Sequence, residues 1–169
     1  MALWKNGRFV SDPWYYVREG EDASPAGHVI PGLDWWTNMR DVFLPSNAPV
    51  GIRIEAGEDL RSIIGDLHRF SLVALVFPAY TDGRSFSKAQ LLRDRYGFRG
   101  EVRAVGDVLI DQFSMLLRSG FDAFEITDEA SMKALEDGAY WTQSRFYQPS
   151  VLEEPHAGGR PWLRAASSA

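Results

Sequence analysis

Three features of the chain predict an α/β fold with a parallel sheet. Strand-like and helix-like patterns alternate four times between residues 51 and 140, most of these strands are apolar on one side only, and Gly, Ser or Asp marks the junctions. Strands and helices of this length in alternation give parallel pairing with right-handed crossovers.

Residues 51–55 read as the first strand, and Leu60, Ile63, Ile64 and Leu67 then fall at the spacing of one helical stripe, with Gly57, Glu58 and Asp59 at its start. Residues 72–77 are continuously apolar and closed by Pro78, as in a buried central strand. The next helix is expected to start with Ser85 or Ser87 as its cap, to run through Phe86, Ala89, Leu92 and Tyr96, and to stop at Gly97. Residues 101–105 form the third strand, followed by a helix over about 108–119 with Gly120 at its end. Residues 122–126 form the fourth, with Asp128 opening a helix that carries Met132, Leu135 and Ala139.

A doubly wound sheet carries helices on both faces and needs strands apolar on both sides. Only residues 72–77 satisfy that; Arg53 and Glu55, Glu101 and Arg103, and Glu125 make the other strands two-sided. Helices on a single face give a curved sheet like half of a (β/α)₈ barrel, which is preferred over a flavodoxin-like sheet. Its polar concave side would be covered by an aromatic hairpin or by a second copy of the chain.

That hairpin is predicted over residues 2–18, where Asn6-Gly7 suits a two-residue turn between Leu3-Trp4 and Phe9-Val10. Residues 19–50 read as a connecting lobe with a short helix through residues 34–40. The expected plan is one domain over 1–147, with the βα core at 51–140, and a C-terminal tail at 148–169 too poor in apolar residues to offset its ordering entropy.

The 169 residues are 45% apolar and 13% aromatic, enough for one substantial core. A formal charge of -5 argues against nucleic acid as a partner, since phosphate neutralisation needs a basic surface. No apolar run approaches the roughly 20 residues of a membrane helix, and the opening MALWKNGRFV has no signal-peptide core, so a cytoplasmic location is expected. The absence of Cys removes thiol nucleophiles, redox disulfides and Cys-ligated iron–sulfur clusters. His28, His68 and His156 have no metal-ligand spacing, so no metal is assigned.

Ligands approach parallel sheets at the carboxyl ends of the strands. Among the loops there, Asp82, Gly83, Arg84 and Ser85 either bind an anion at a helix start or simply make a turn with a serine cap. Asp107 and Asp111 stand four residues apart, as an acid and base pair or as helix-start stabilisers. Arg103, a charge inside a strand, either clamps substrate or pairs with Glu101 across a salt-bridged sheet face, and Gln112 reaches the same rim. Arg93, Arg95 and Arg99 read as a solvated basic face or as a dock for an acidic protein.

The wording FP-x-x-x-DGR, GE-x-RAVGDVL-x-DQ and GFDAFE resembles the core signature of a bacterial family of unknown function whose genes commonly lie beside assimilatory sulfite reductase. The resemblance covers residues 51–140, and the matching positions are Asp82, Gly83, Arg84, Ser85, Arg103, Gly106, Asp107, Asp111, Gln112 and Gly120. Members are often labelled probable oxidoreductases or sulfite-reduction accessory proteins. The resemblance implies an accessory role in sulfite reduction, with sulfite reductase as partner and assistance to electron delivery as the task. The cofactor is left open, a flavin held by loops being one option. Two other functions stay open: a small enzyme acting on an anionic sulfur or phosphate metabolite, and a structural homodimer in which two concave faces meet.

Overall fold

The computed structural model describes residues 1–18, 20–21, 27–43 and 48–138. Residues 139–169 lie outside it, and with them Ala139 and the expected C-terminal tail.

Eight strands form a single curled sheet: β1 (Ala2–Lys5), β2 (Arg8–Val10), β3 (Tyr15–Tyr16), β4 (Val29–Ile30), β5 (Val50–Ile54), β6 (Phe70–Phe77), β7 (Glu101–Gly106) and β8 (Ala123–Ile126). Their order is β2-β1-β8-β7-β6-β5-β4-β3. From β3 to β8 every neighbouring pair is parallel and consecutive in the chain, while β1 runs antiparallel to both β8 and β2. Steady advance without a reversal of strand order puts every crossover on the same side. The architecture is therefore the half-barrel, not the doubly wound sheet.

The packing agrees. Val73, Leu75 and Phe77 of β6, with Ile52 and Ile54 of β5 and Phe124 and Ile126 of β8, share one core with apolar side chains from the helices. These helices are α1 (Leu33–Phe43), a 3₁₀ helix (Leu60–Arg69), α2 (Arg84–Gln90) with a π-helical turn (Leu91–Arg95), a short 3₁₀ turn (Ile110–Gln112) leading into α3 (Phe113–Arg118), and α4 (Glu129–Glu136). The alternate residues Leu72, Ala74 and Val76 of β6 face the other way, into a smaller cluster with Ile30 and Val105 that Trp14 and Tyr16 cover. Each fully buried Leu or Phe contributes about 1.5–3 kcal/mol, so the helix face carries most of the stability.

Asn6-Gly7 forms the hairpin turn with both residues at positive φ, 53° and 77°, as a type I′ turn requires. The hairpin extends the sheet edge instead of crossing it. The segment after it, Asp12 to Tyr16, lies over the concave face, with Trp14 and Tyr16 packed on the smaller cluster and Asp12 bonded to Arg103.

Four other expectations change. Residues 19–50 supply a fifth strand–helix unit, β4 and α1; two-residue β4 is too short to show a period. The helix after β5 is 3₁₀, not α. Three residues per turn align Leu60, Ile63 and Asp66 inward, and buried Asp66 accepts hydrogen bonds from Trp36 Nε1 at 3.0 Å and Arg40 Nη2 at 2.8 Å. Neither Ser85 nor Ser87 caps α2. The cap position is Gly83, and the Asp82 carboxylate takes the Arg84 N–H at 3.1 Å. Arg93 is no solvated charge: it donates to the carbonyls of Phe98, Gly100 and Gly120 and pairs with Asp122, tying the end of the π turn to the loops entering β7 and β8.

Gly106 ends β7 at φ 96°, where a Cβ would lie 2.3 Å from the Phe77 carbonyl oxygen. Only glycine allows this approach, and the Asp107 N–H then reaches the same carbonyl at 2.8 Å. No helix among the described residues is long and apolar enough to cross a membrane.

Candidate functional site

At the carboxyl ends of β5 to β7 the chain gathers Asp82, Arg84, Asp107 and Gln112 by joining each to its own loops. Arg84 Nη2 meets Asp82 Oδ2 at 2.6 Å and Nε bridges both carboxylate oxygens. The Arg84 hydrogen bonds hold the Asp82 carboxyl down at about 2, well below the usual carboxylate range. Ser85 is buried, and its hydroxyl donates to the Val76 carbonyl at 2.6 Å, so it anchors α2 to β6. Asp107 accepts from the Tyr80 N–H at 2.8 Å. Gln112 donates to the Tyr80 carbonyl at 2.8 Å and accepts from the Leu109 N–H at 3.2 Å. Asp111 stands exposed on the short 3₁₀ turn.

Lys88 was not among the residues expected at this rim. Its ammonium donates to the carbonyls of Glu55 at 2.5 Å and Ala56 at 3.1 Å, fastening α2 over the loop after β5, and partial burial lowers its pKa. Helical spacing gives no signal for it, because the acceptors are backbone atoms more than 30 residues away.

Arg103 lies elsewhere, in the middle of the concave face. Across five strands the aligned residues are Lys5, Ala123, Arg103, Ala74 and Arg53, so each cation is separated from the next by an alanine on the strand between. Strands are spaced about 4.8 Å apart, which sets like charges two strands from each other and leaves room above the alanines for long side chains. Arg103, 0% exposed, donates through Nε to Glu101 at 2.7 Å and through Nη1 to Asp12 at 2.6 Å and Glu125 at 2.9 Å. Its Nη2 reaches the second Asp12 oxygen at 3.2 Å. Burial opposes the charge, but the bonds to Asp12, Glu101 and Glu125 outweigh it and push the Arg103 pKa above its ordinary value.

The surrounding groups complete the network. Lys5 pairs with the other Glu101 oxygen at 2.6 Å, and the Tyr16 hydroxyl makes a short hydrogen bond to Glu125. Burial first, and then the Glu125 carboxylate, push the Tyr16 phenol well above the usual tyrosine range. Arg53 pairs with Glu55 at 2.7 Å and lies 5.9 Å over the Tyr16 ring. Of the two readings of Arg103, the salt-bridged sheet face is the arrangement present. Glu125 was read from the sequence as a charge on the polar sheet face, whereas Asp12 and Tyr16 were not expected in this network.

Among the described residues no group of three or more His, Asp or Glu side chains converges as a metal site. What the arrangement supplies is a rim that exposes Arg84, Asp107 and Asp111, above a concave face whose charges pair within it.

Fold and rim together define a small half-barrel α/β protein whose polar residues brace loops. The family model described as "Bacterial protein of unknown function (DUF934)" matches residues 51–157, more than half of the chain, and the protein belongs to that family. No curated protein matches it.

Proposed function

We propose that this protein is a non-catalytic accessory factor of assimilatory sulfite reduction that binds sulfite reductase and assists electron delivery to it. The gene-neighbourhood association of the family it resembles supplies the pathway. The observation that carries the non-catalytic part is the occupation of the rim: Arg84 by Asp82, Ser85 by Val76, Asp107 by Tyr80, and Gln112 by Tyr80 and Leu109. A general acid or base must be free to reach a substrate proton, whereas a brace is already committed. The test is co-purification of the chain with sulfite reductase, followed by reductase turnover with and without the protein. Co-purification with raised turnover is expected; no association and no effect on turnover would end this reading.

Arg84 favours a second reading, a small enzyme binding an anionic sulfur or phosphate metabolite. Its side chain is 60% exposed, and its Nη1 lies 3.9 Å from the position a Gly57 Cβ would take, beside a second loop of the rim. Sulfite, sulfate and phosphate would then each raise the melting temperature, and Arg84→Ala would remove the rise.

A further inference from the structure

At the opposite end of the sheet a groove of about 520 Å³ runs between the 3₁₀ helix and the segment leaving the π turn. Leu67, Phe70 and Phe98 make its buried floor, with Ile64 and Tyr96 partly exposed along its walls. Arg99 lines it, and Arg95 lies 5.8 Å over the ring of the lining residue Tyr96. Both arginines are exposed.

We infer that this groove docks an acidic segment of a partner protein carrying an apolar or aromatic anchor side chain. The inference rests on the accessory reading above and locates its contact surface. Three observations carry it. The groove joins Tyr, Phe and Arg, the residue types enriched at the energetic centres of interfaces, and its floor offers a pocket for an anchor. Its arginines stand out in a chain of charge -5, while Glu55, Glu58, Asp107 and Asp111 crowd the far rim, so an acidic partner is steered to this end. One wall is a ten-residue 3₁₀ helix and the other directly follows a π turn. Long 3₁₀ runs are uncommon, and π turns concentrate at functional positions.

The test uses the full chain with two labelled peptides, a Leu-Phe pair flanked by glutamates and the same pair flanked by lysines. The glutamate peptide is expected to bind, to shift backbone amide signals at residues 64–70 and 95–100, and to lose roughly tenfold in affinity against Arg95→Glu/Arg99→Glu. Equal binding of both peptides, no binding, or undiminished affinity of the double variant would overturn the inference. So would self-association of the chain through the same amides, which would make a second copy the occupant. A reductase arm separates the two claims: capture by the wild type that persists in the double variant removes the groove and leaves the accessory role. Peptide binding without reductase capture removes the accessory role and leaves the groove.

Discussion

Arg103 is a fully buried cation held by three carboxylates. Substituting methionine would leave Glu101, Glu125 and Asp12 facing one another with Lys5, Tyr16 and the Trp14 N–H as their remaining partners. Breaking a buried ion pair from one side costs about 3–5 kcal/mol, and Arg103→Met is expected to lower denaturant-unfolding stability by that amount. Tyr16→Phe removes the donor to buried Glu125 and is expected to cost about 1–3 kcal/mol. The Tyr16 pKa is raised in the folded state, so its contribution is complete below the unfolded value of about 10 and declines as pH rises toward the folded value. Wild-type stability should therefore fall more steeply than that of Tyr16→Phe above pH 10, as unfolding curves across that range would record. Arg103 was legible because a charge in a strand demands a partner. Asp12 was not, since it lies 91 residues away in the chain and no periodicity links the two.

Among the elements, strands read from alternation match their observed positions closely, because a one-sided strand carries its burial pattern in its own residues. Helix type was less legible. An i, i+3, i+4, i+7 stripe is compatible with α or 3₁₀ winding, and what selects 3₁₀ here is tertiary: Asp66 turned inward to Trp36 and Arg40. Arg93 is the staple of the second irregular helix, holding three carbonyls and Asp122. Arg93→Ala should cost roughly 1.5–3 kcal/mol in chemical denaturation, the range for hydrogen bonds from a charged donor. Arg93→Lys should recover only part of it, because a point charge cannot span acceptors that a planar fork spans.

Over the whole molecule, consecutive strand order produces a half-barrel with the described helices outside, and the segment from Asp12 to Tyr16 lies inside. Sequence patterning carried the one-sided sheet. It offered residues 2–18 as a cover for the concave face, but not the contacts that close it, which run from Asp12 to Arg103 of β7 and from Tyr16 to Glu125 of β8. The two ends of the sheet differ in kind, one a polar rim where Asp82, Arg84, Asp107 and Gln112 are bonded to its own loops, the other an apolar groove edged with arginines. Activity that depends on docking should survive conservative changes at the rim and fail when the groove charge is reversed. Sulfite reductase turnover at limiting electron donor, measured with the wild type, Asp107→Asn and Arg95→Glu/Arg99→Glu, sets these against each other directly. The account predicts equal stimulation by wild type and Asp107→Asn and none by the double variant; stimulation lost in a well-folded Asp107→Asn and kept in the double variant would contradict it.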